Sequence, residues 1–262
     1  MKPTQYNDIN ALIQELTINM KKILGNNLVG IYLFGSLVWG DFDHNVSDLD
    51  LLTVTNNDLS DKEQSDLKQM HDNFAKLHPI WYGRIEVKYF SKIGLRTFKT
   101  QMNKISVISP GEDFHTFEIG KNYLLNWYHV QTYGITLYGP DPKTLIDPIS
   151  HEEFIKANYA EGVEWGEYVK ESKGNRNAQS YAVLTLCRIL YAVTIGEQPS
   201  KVKAARWAIT QIPEWKELIN NALIWRQDLK NVGVNHEETY PEVEKFVLFV
   251  IEKLKNSKPI IS

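Results

Sequence analysis

Two short apolar runs separated by a turn-rich segment place the strongest constraint on how this chain can fold. The first run, residues 28–34, ends at Gly35 and Ser36, and the second covers residues 49–54. Apolar runs of this length, bounded by Gly, Asn and Asp, are typical of buried β-strands. Residues 84–90 alternate polar and apolar side chains, which is typical of a half-buried strand. The sequence therefore predicts a sheet with at least three strands.

Helical spacing of apolar residues predicts most other elements in the first half of the chain. These elements are helices over residues 9–23, 61–77 and 123–133, a short helix over 95–102, a loop through 109–112 and a strand over 135–138. The boundaries within residues 91–125 stay open, because helix-like and loop-like patterns are mixed there.

A strong chain break at Gly139, Pro140, Asp141 and Pro142 separates this half from a second one. After residue 148 only helical patterns occur, over residues 151–171, 179–195, 200–211, 214–229 and 239–256. We therefore expect an α+β fold in two domains. Residues 1–148 would form a small mixed sheet flanked by helices, and residues 149–262 an all-helical bundle.

Composition and charge narrow the class of protein. Hydrophobic residues make up 43% of the 262 residues and charged residues 23%, as in ordinary globular proteins. A net charge of -3 gives no excess of cations for nucleic-acid phosphates, and the single Cys187 cannot form an intrachain disulfide. No secretion signal is recognised, and the apolar stretch 246–251 is far shorter than the ~20 residues of a membrane span. We expect a cytoplasmic monomer or weak dimer that binds a small molecule, without nucleic acid or membrane.

The segment between the first two predicted strands carries residues suited to a metal-nucleotide complex. Eleven residues separate Ser36 from Asp48, and the second strand opens with Asp48 and Asp50. Side chains two apart on a strand face the same way, so these carboxylates repel unless a cation lies between them. Magnesium binds through one or two carboxylates plus substrate phosphates. Gly35 permits close backbone approach to a phosphate, and its amide and the Ser36 hydroxyl can donate to phosphate oxygens.

A third acid, Glu86, lies on the third predicted strand. Neighbouring strands can bring the carboxylates of Asp48, Asp50 and Glu86 close to one another. Phosphoryl transfer with two metal ions about 3.5 to 4 Å apart uses such a set of carboxylates. Glu86 is therefore a candidate ligand of a second metal ion, or a candidate base that accepts the proton of an attacking hydroxyl.

The motif of Gly35, Ser36, Asp48 and Asp50, followed by Glu86, resembles the signature of the polymerase-beta-type nucleotidyltransferase superfamily. Over nearly its whole length the chain is similar to the aminoglycoside adenylyltransferases that modify streptomycin and spectinomycin. In the second half the similar segments are 183–190 and 199–208. The resemblance implies that AMP is transferred from ATP to a hydroxyl of a small molecule, with Mg2+ as cofactor, two ions being expected, and with release of pyrophosphate.

The resemblance also implies roles for individual residues. Asp48, Asp50 and Glu86 would be catalytic and hold the metal ions. The nucleotide would be contacted by Gly35, Ser36, Ser47, Arg188 and Lys201. One position departs from the family, because the acidic residue that meets the cationic drug is replaced by Ala178.

Two other functions fit the same residues. A nucleotidyltransferase of the toxin and antitoxin type would modify a protein or tRNA instead of a small molecule. A catalytically silent regulator would bind the nucleotide without turnover. The presence of all three acids favours an enzyme.

Other conspicuous side chains have simpler structural explanations. Asp41, Asp43 and His44 are assigned to an exposed loop, and His129 to a buried, hydrogen-bonded position. Aromatic residues at helical spacing are assigned to the core; they are Trp127, Tyr128, Tyr181, Tyr191 and Trp207. A charged helix face explains three glutamates, Glu112, Glu167 and Glu171.

Overall fold

The computed structural model describes residues 2–227 and 234–257. The chain divides into two compact units, one of Met1–Phe42 and Ser47–Ile149, the other of Asp43–Val46 and Ser150–Ser262. The first unit carries a β-sheet flanked by helices, and the second is helical. The predicted α+β class is therefore confirmed.

The first unit is built on a mixed, six-stranded sheet. Its strands are β1 (Leu28–Phe34), β2 (Leu49–Thr55), β3 (Ile85–Ser91), β4 (Asn103–Ile108), β5 (His115–Ile119) and β6 (Ile135–Tyr138). They lie in the order β5-β4-β3-β2-β1-β6. Strands β2 and β3 run parallel, whereas β1 is antiparallel to β2 and β6, and β4 is antiparallel to β3 and β5.

Helices cover the sheet of the first unit. They are α1 (Asn7–Leu24), the single turn α2 (Ser36–Trp39), α3 (Asp61–Leu77), α4 (Lys92–Thr97) and α5 (Leu124–Tyr133). A capping box fixes the start of α3, because the Ser60 side chain accepts from the Glu63 amide and the Glu63 side chain accepts from the Ser60 amide.

The two faces of the central strands have different surroundings, because successive side chains point to opposite faces. On one face Leu33, Leu51 and Val87 are fully buried in a hydrophobic cluster with residues of α1 and α3. On the opposite face Phe90 stacks on Trp127 of α5, with ring centroids 5.1 Å apart. Towards the start of β2 and β3, this second face carries charged residues instead of apolar ones.

The second unit is a helical bundle. Its helices are α6 (His151–Tyr168), α7 (Arg176–Ile195), α8 (Lys201–Gln211), α9 (Lys216–Trp225) and α10 (His236–Asn256). Buried residues of all five helices, including Leu186 of α7 and Phe246 of α10, form one hydrophobic cluster. By length and composition α7 could cross a membrane, but 72% of its most apolar window is buried inside the structure. This burial is typical of the core helix of a bundle.

The differences from the sequence prediction are concentrated in residues 91–125. Strands β4 and β5 were not predicted, because β5 is a five-residue edge strand that alternates exposure and offers little apolar periodicity. The short helix predicted over 95–102 was placed too late in the chain: α4 covers Lys92–Thr97, and residues 98–100 form a turn. The helix predicted over 214–229 is observed as α9, and residues 228 and 229 lie outside the described residues.

His71 links α3 to β3 and predicts a pH dependence of stability. Its ring is 3% exposed, its Nε2 lies 2.7 Å from the Tyr89 hydroxyl, and burial lowers its pKa from 6.5 to about 4. The folded state therefore binds fewer protons than the unfolded state between pH 4 and 6.5. Stability is full above pH 6.5 and falls by about 3 kcal/mol as the pH drops to 4.

The measurement is urea unfolding of the wild type and of His71→Gln across this pH range. The glutamine amide can replace the bond from Nε2 but does not titrate. We expect a flatter pH profile for the variant, and superimposable profiles would contradict the assignment.

Gly162 of α6 predicts a steric effect on the helical bundle. A Cβ at this position would lie 2.6 Å from Leu254 Cδ1 and 2.7 Å from Ile189 Cγ2, both in buried side chains. We expect Gly162→Ala to lower the free energy of unfolding by roughly 1–3 kcal/mol, because the packed core must shift. One turn later, Gly166→Ala meets only Ile251 Cδ1 at 3.4 Å. This control should be neutral or stabilising by up to ~1 kcal/mol, and equal losses in denaturant unfolding would contradict the packing argument.

Candidate active site

Two of the predicted acids are neighbours in the middle of the sheet. Asp50 of β2 is the register partner of Glu86 on the parallel strand β3. Register partners on adjacent strands project to the same face, and such strands lie about 4.8 Å apart. Both residues are partly exposed, so their carboxylates share one solvent-accessible side of the sheet.

Asp48 directly precedes β2, and its backbone is anchored by Arg84. The Arg84 guanidinium donates to the Ser47 carbonyl through Nε at 3.1 Å and also through Nη2. The guanidinium also lies 4.5 Å from the Trp81 ring centroid. The sequence analysis did not identify Arg84 as a site residue, although a charged residue directly before a buried strand could have indicated one. This anchor fixes the path of the chain that leads into the two aspartates.

Gly35 brings the backbone against the Asp50 carboxylate. It ends β1 with φ +76°, and a Cβ built on it would lie 1.8 Å from Asp50 Oδ2. A side chain at this position would therefore collide with the carboxylate and strain the backbone as well. Only glycine lets the turn after β1 lie this close to Asp50.

Ser36 follows Gly35 and begins the single turn α2. Its Oγ is shielded from solvent and has no hydrogen-bond partner within the described chain. A buried hydroxyl without a partner is costly, and such atoms recur at ligand-binding sites. Ser36 is therefore suited to donate to an anionic ligand beside Asp50.

Lys88 is a charged residue of the same face that sequence reasoning missed. Side chains two apart on a strand share a face, so Lys88 lies on the same face of the sheet as Glu86. Its ammonium forms an ion pair with Glu86 Oε1. The residue is 5% exposed and lies over the Phe34 ring, 5.3 Å from the centroid. Burial lowers the pKa of Lys88 to about 8, against the opposing effect of the Asp50 carboxylate.

Asp48 and Asp50 supply a donor set that suits one divalent cation. Magnesium takes oxygen ligands and needs only one or two protein carboxylates when phosphates complete its coordination. Glu86 differs, because one of its oxygens is bound by Lys88. Across residues 2–227 and 234–257, no group of three or more His, Cys, Asp or Glu side chains is arranged to hold a metal ion. Asp48 and Asp50 as ligands of a divalent ion, and Glu86 as a further ligand, therefore stay predictions.

A cavity of about 540 Å³ in the first unit is bordered by Glu86. Its lining comes largely from β4, β5 and the connection between them, which the sequence prediction missed. The lining residues are Glu86, Lys88, Val107, Ser109, Glu112, His115, Phe117, Tyr123 and Asn126. The cavity can therefore present a bound molecule to the Glu86 carboxylate.

Glu112 and two aromatic rings give this cavity its chemical character. Glu112 lies in the loop between β4 and β5, not on the helix face assigned to it from the sequence. Burial raises the pKa of Tyr123, and the nearby Glu112 carboxylate raises it further. The rings of Phe117 and Tyr123 have centroids 6.2 Å apart. A carboxylate beside aromatic rings favours a cationic ligand.

The two predicted cations of the second half, Arg188 and Lys201, lie in the second unit. Arg188 is in the middle of α7, and its charge opposes the rise that burial causes in the pKa of Glu161. Lys201 begins α8, with its ammonium 4.9 Å from the Tyr181 ring centroid. Tyr181 is 52% exposed, so its assignment to the core was wrong, whereas Trp127 is fully buried as predicted. Nucleotide contacts by these cations stay a prediction.

Comparison with known families shows what the two halves of the chain are similar to. Residues 18–107 match the nucleotidyltransferase domain. Residues 144–253 match the C-terminal domain of aminoglycoside adenylyltransferase. The chain is therefore a homologue of the spectinomycin and aminoglycoside adenylyltransferases, and the resemblance found in its motifs is confirmed.

Curated relatives agree with the two domain matches. Spectinomycin 9-adenylyltransferase from Staphylococcus aureus is 27% identical over 221 residues, which cover 78% of this chain and 79% of the relative. Aminoglycoside (3'') (9) adenylyltransferase from Escherichia coli is 27% identical over 229 residues, which cover 78% of this chain and 81% of the relative. The similarity therefore extends through both units.

A solved structure shares the fold. The crystal structure of spectinomycin adenyltransferase AAD(9) from Enterococcus faecialis with ATP and spectinomycin matches with a TM-score of 0.70 and 21% identity. The match covers 94% of this chain and 99% of that one. Both the sheet-bearing unit and the helical unit thus belong to a known architecture.

The contact between Gly35 and Asp50 predicts a selective loss of nucleotide binding. In Gly35→Ala the new Cβ must displace the Asp50 carboxylate, so we expect Mg-ATP to bind at least about tenfold more weakly by calorimetry, a loss of about 1.4 kcal/mol. Gly40→Ala is the matched control, because Gly40 has a similar φ of +73° but a Cβ there meets nothing within 4 Å. Alanine at Gly40 carries a backbone strain of about 1–2 kcal/mol, and alanine at Gly35 one of about 1–3 kcal/mol, because φ 76° with ψ -153° is a conformation that essentially only glycine adopts. Equal weakening in the two would show that the close approach to Asp50 is unimportant.

Proposed function

We propose that this chain transfers AMP from ATP to a hydroxyl group of a cationic, polyhydroxylated small molecule of the aminoglycoside type. The reaction depends on a divalent metal ion and releases pyrophosphate. The observation that carries this proposal is the register pairing of Asp50 with Glu86, beside Gly35 on one side and the cavity on the other. This arrangement supports a nucleotide site and an acceptor site that meet at two carboxylates.

The nucleotide side of the site is formed by the turn after β1 and the start of β2. Asp48 and Asp50 would hold a divalent ion, which when bound neutralises phosphate charge and orients the triphosphate. The Ser36 hydroxyl, which has no protein partner within the described chain, donates to a phosphate oxygen. Gly35 and Ser47 complete the contacts that the family resemblance implies. The α-phosphorus is thereby presented next to Glu86.

Glu86 acts as the base on the acceptor side. Its carboxylate accepts the proton of the acceptor hydroxyl, whose oxygen then attacks the α-phosphorus in line. A new oxygen–phosphorus bond forms as the bond between the α-phosphorus and the pyrophosphate oxygen breaks. Pyrophosphate leaves with the electron pair, and AMP stays on the acceptor. In the second unit, Arg188 and Lys201 are proposed to contact the triphosphate, as the resemblance implies.

The cavity supports the class of acceptor. Glu112 and the rings of Phe117 and Tyr123 suit a protonated amine, because a carboxylate and aromatic faces both attract cations. Asn126 and Ser109 offer hydrogen bonds to hydroxyl groups. Glu112 is the acidic residue that we expect to contact a cationic acceptor. Relatives named for spectinomycin and aminoglycosides make these compounds the first acceptors to test.

Incubation of the purified chain with Mg-ATP and a panel of aminoglycosides and spectinomycin tests the proposal. We expect an acceptor whose mass rises by one AMP group, with pyrophosphate released in equal amount. A modified protein or tRNA instead would favour the macromolecular alternative. Nucleotide binding without pyrophosphate release for any acceptor would favour the silent regulator.

The control for this experiment compares two glutamates that line the same cavity. Glu86→Gln should lower kcat roughly 10²–10⁴-fold while ATP still binds, because the base is lost. Glu112→Gln makes the same chemical change but should mainly raise KM for a cationic acceptor. Retention of full kcat in Glu86→Gln, with folding intact by circular dichroism, would refute the assigned role.

A further inference from the structure

Lys88 is the buried cation of the acidic face. Its ammonium contacts Oε1 of Glu86 and lies 5.3 Å from the centroid of the Phe34 ring, and the residue is 5% exposed. Burial removes the water that would solvate an ammonium, so the charge must be compensated by a close partner. Glu86 is its ion-pair partner, because residues two apart on β3 face the same way, and the Asp50 carboxylate also favours the charged form by raising the pKa of Lys88.

Glu86 also has a carboxylate as its neighbour on the adjacent strand. Asp50 is its register partner on β2, and two carboxylates in this position repel each other unless a cation reduces their charge. In a two-metal site that cation is a second metal ion, which takes the third carboxylate as a ligand. Here the third carboxylate is already bound by an ammonium. A divalent ion at the same carboxylate would be repelled by Lys88.

We propose that Lys88 is a positioning residue that takes the place of the second metal ion at Glu86, so that the site holds one divalent ion per bound nucleotide. Asp48 and Asp50 bind that ion, while Lys88 offsets the charge of Glu86 and fixes the direction of its carboxylate. This inference rests on the proposed function, because it concerns the same metal-nucleotide site. It replaces the two ions expected from the sequence with one.

Counting bound Mn2+ tests this proposal without turnover. The chain is mixed with a slight deficit of an ATP analogue that has a methylene bridge between its α and β phosphorus atoms. Mn2+ is then titrated, and the free ion is measured by electron paramagnetic resonance. We expect one Mn2+ per nucleotide complex in the wild type. In Lys88→Met, whose unbranched side chain lacks the charged terminal nitrogen, we expect a twofold higher count because Glu86 becomes available as a ligand.

Lys99→Met is the matched control, since Lys99 is more exposed than Lys88 but is likewise paired with a carboxylate, its Nζ lying 3.4 Å from Asp147 Oδ2. It should keep one Mn2+. Two ions in the wild type would overturn the inference whether or not the Lys88 variant folds, and so would a count of one in a folded Lys88→Met. If the wild type bound the analogue with no Mn2+ at all, the metal-dependent function itself would fail, and this inference with it.

Discussion

Electrostatic repulsion between Asp50 and Glu86 is the constraint on which the rest of the site depends. Parallel pairing of β2 and β3 puts the two carboxylates side by side on one face. Two unit charges about 5 Å apart repel by about 3 kcal/mol at an effective dielectric constant of 20. The buried ammonium of Lys88 pairs with Glu86, and the Asp50 carboxylate also acts on it by raising the pKa of Lys88. A single cation thus reduces the repulsion between the two carboxylates.

The charged residues on one face of the sheet are held in place by apolar packing on the other face. Alternate residues of β1, β2 and β3 are fully buried against α1 and α3, and this packing holds the strands in register. The register in turn places Gly35 against Asp50 and gives Arg84 access to the Ser47 carbonyl. Hydrophobic packing on one side therefore determines the geometry of the polar groups on the other.

The periodicity of apolar residues predicted those helices and strands that carry a regular apolar pattern within their own sequence. Strands β1 to β3, helices α1, α3 and α5 and the helices of the second unit were predicted, because each buries a stripe or a run that repeats at its own spacing. The element boundaries within residues 91–125 could not be predicted from the sequence, and this segment contains β4 and β5. These strands are stabilised by pairing with β3 and with each other. The side chains of β4 and β5 show little of the periodicity that identifies a strand, so the cavity wall that these strands form was not predicted.

Spacing along the chain is enough to predict that Asp48 and Asp50 face one way, since side chains on a strand repeat every two residues, and that a Gly-Ser turn precedes them. The pairing of β3 with β2, in the register that sets Glu86 beside Asp50, follows instead from contacts between distant segments. The same holds for the burial of Lys88 as the ion-pair partner of Glu86 and for the position of Glu112 in the lining of the cavity beside Glu86. These relations depend on contacts between distant segments, whose partners and register follow from packing of the whole unit and not from the spacing of residues along one strand.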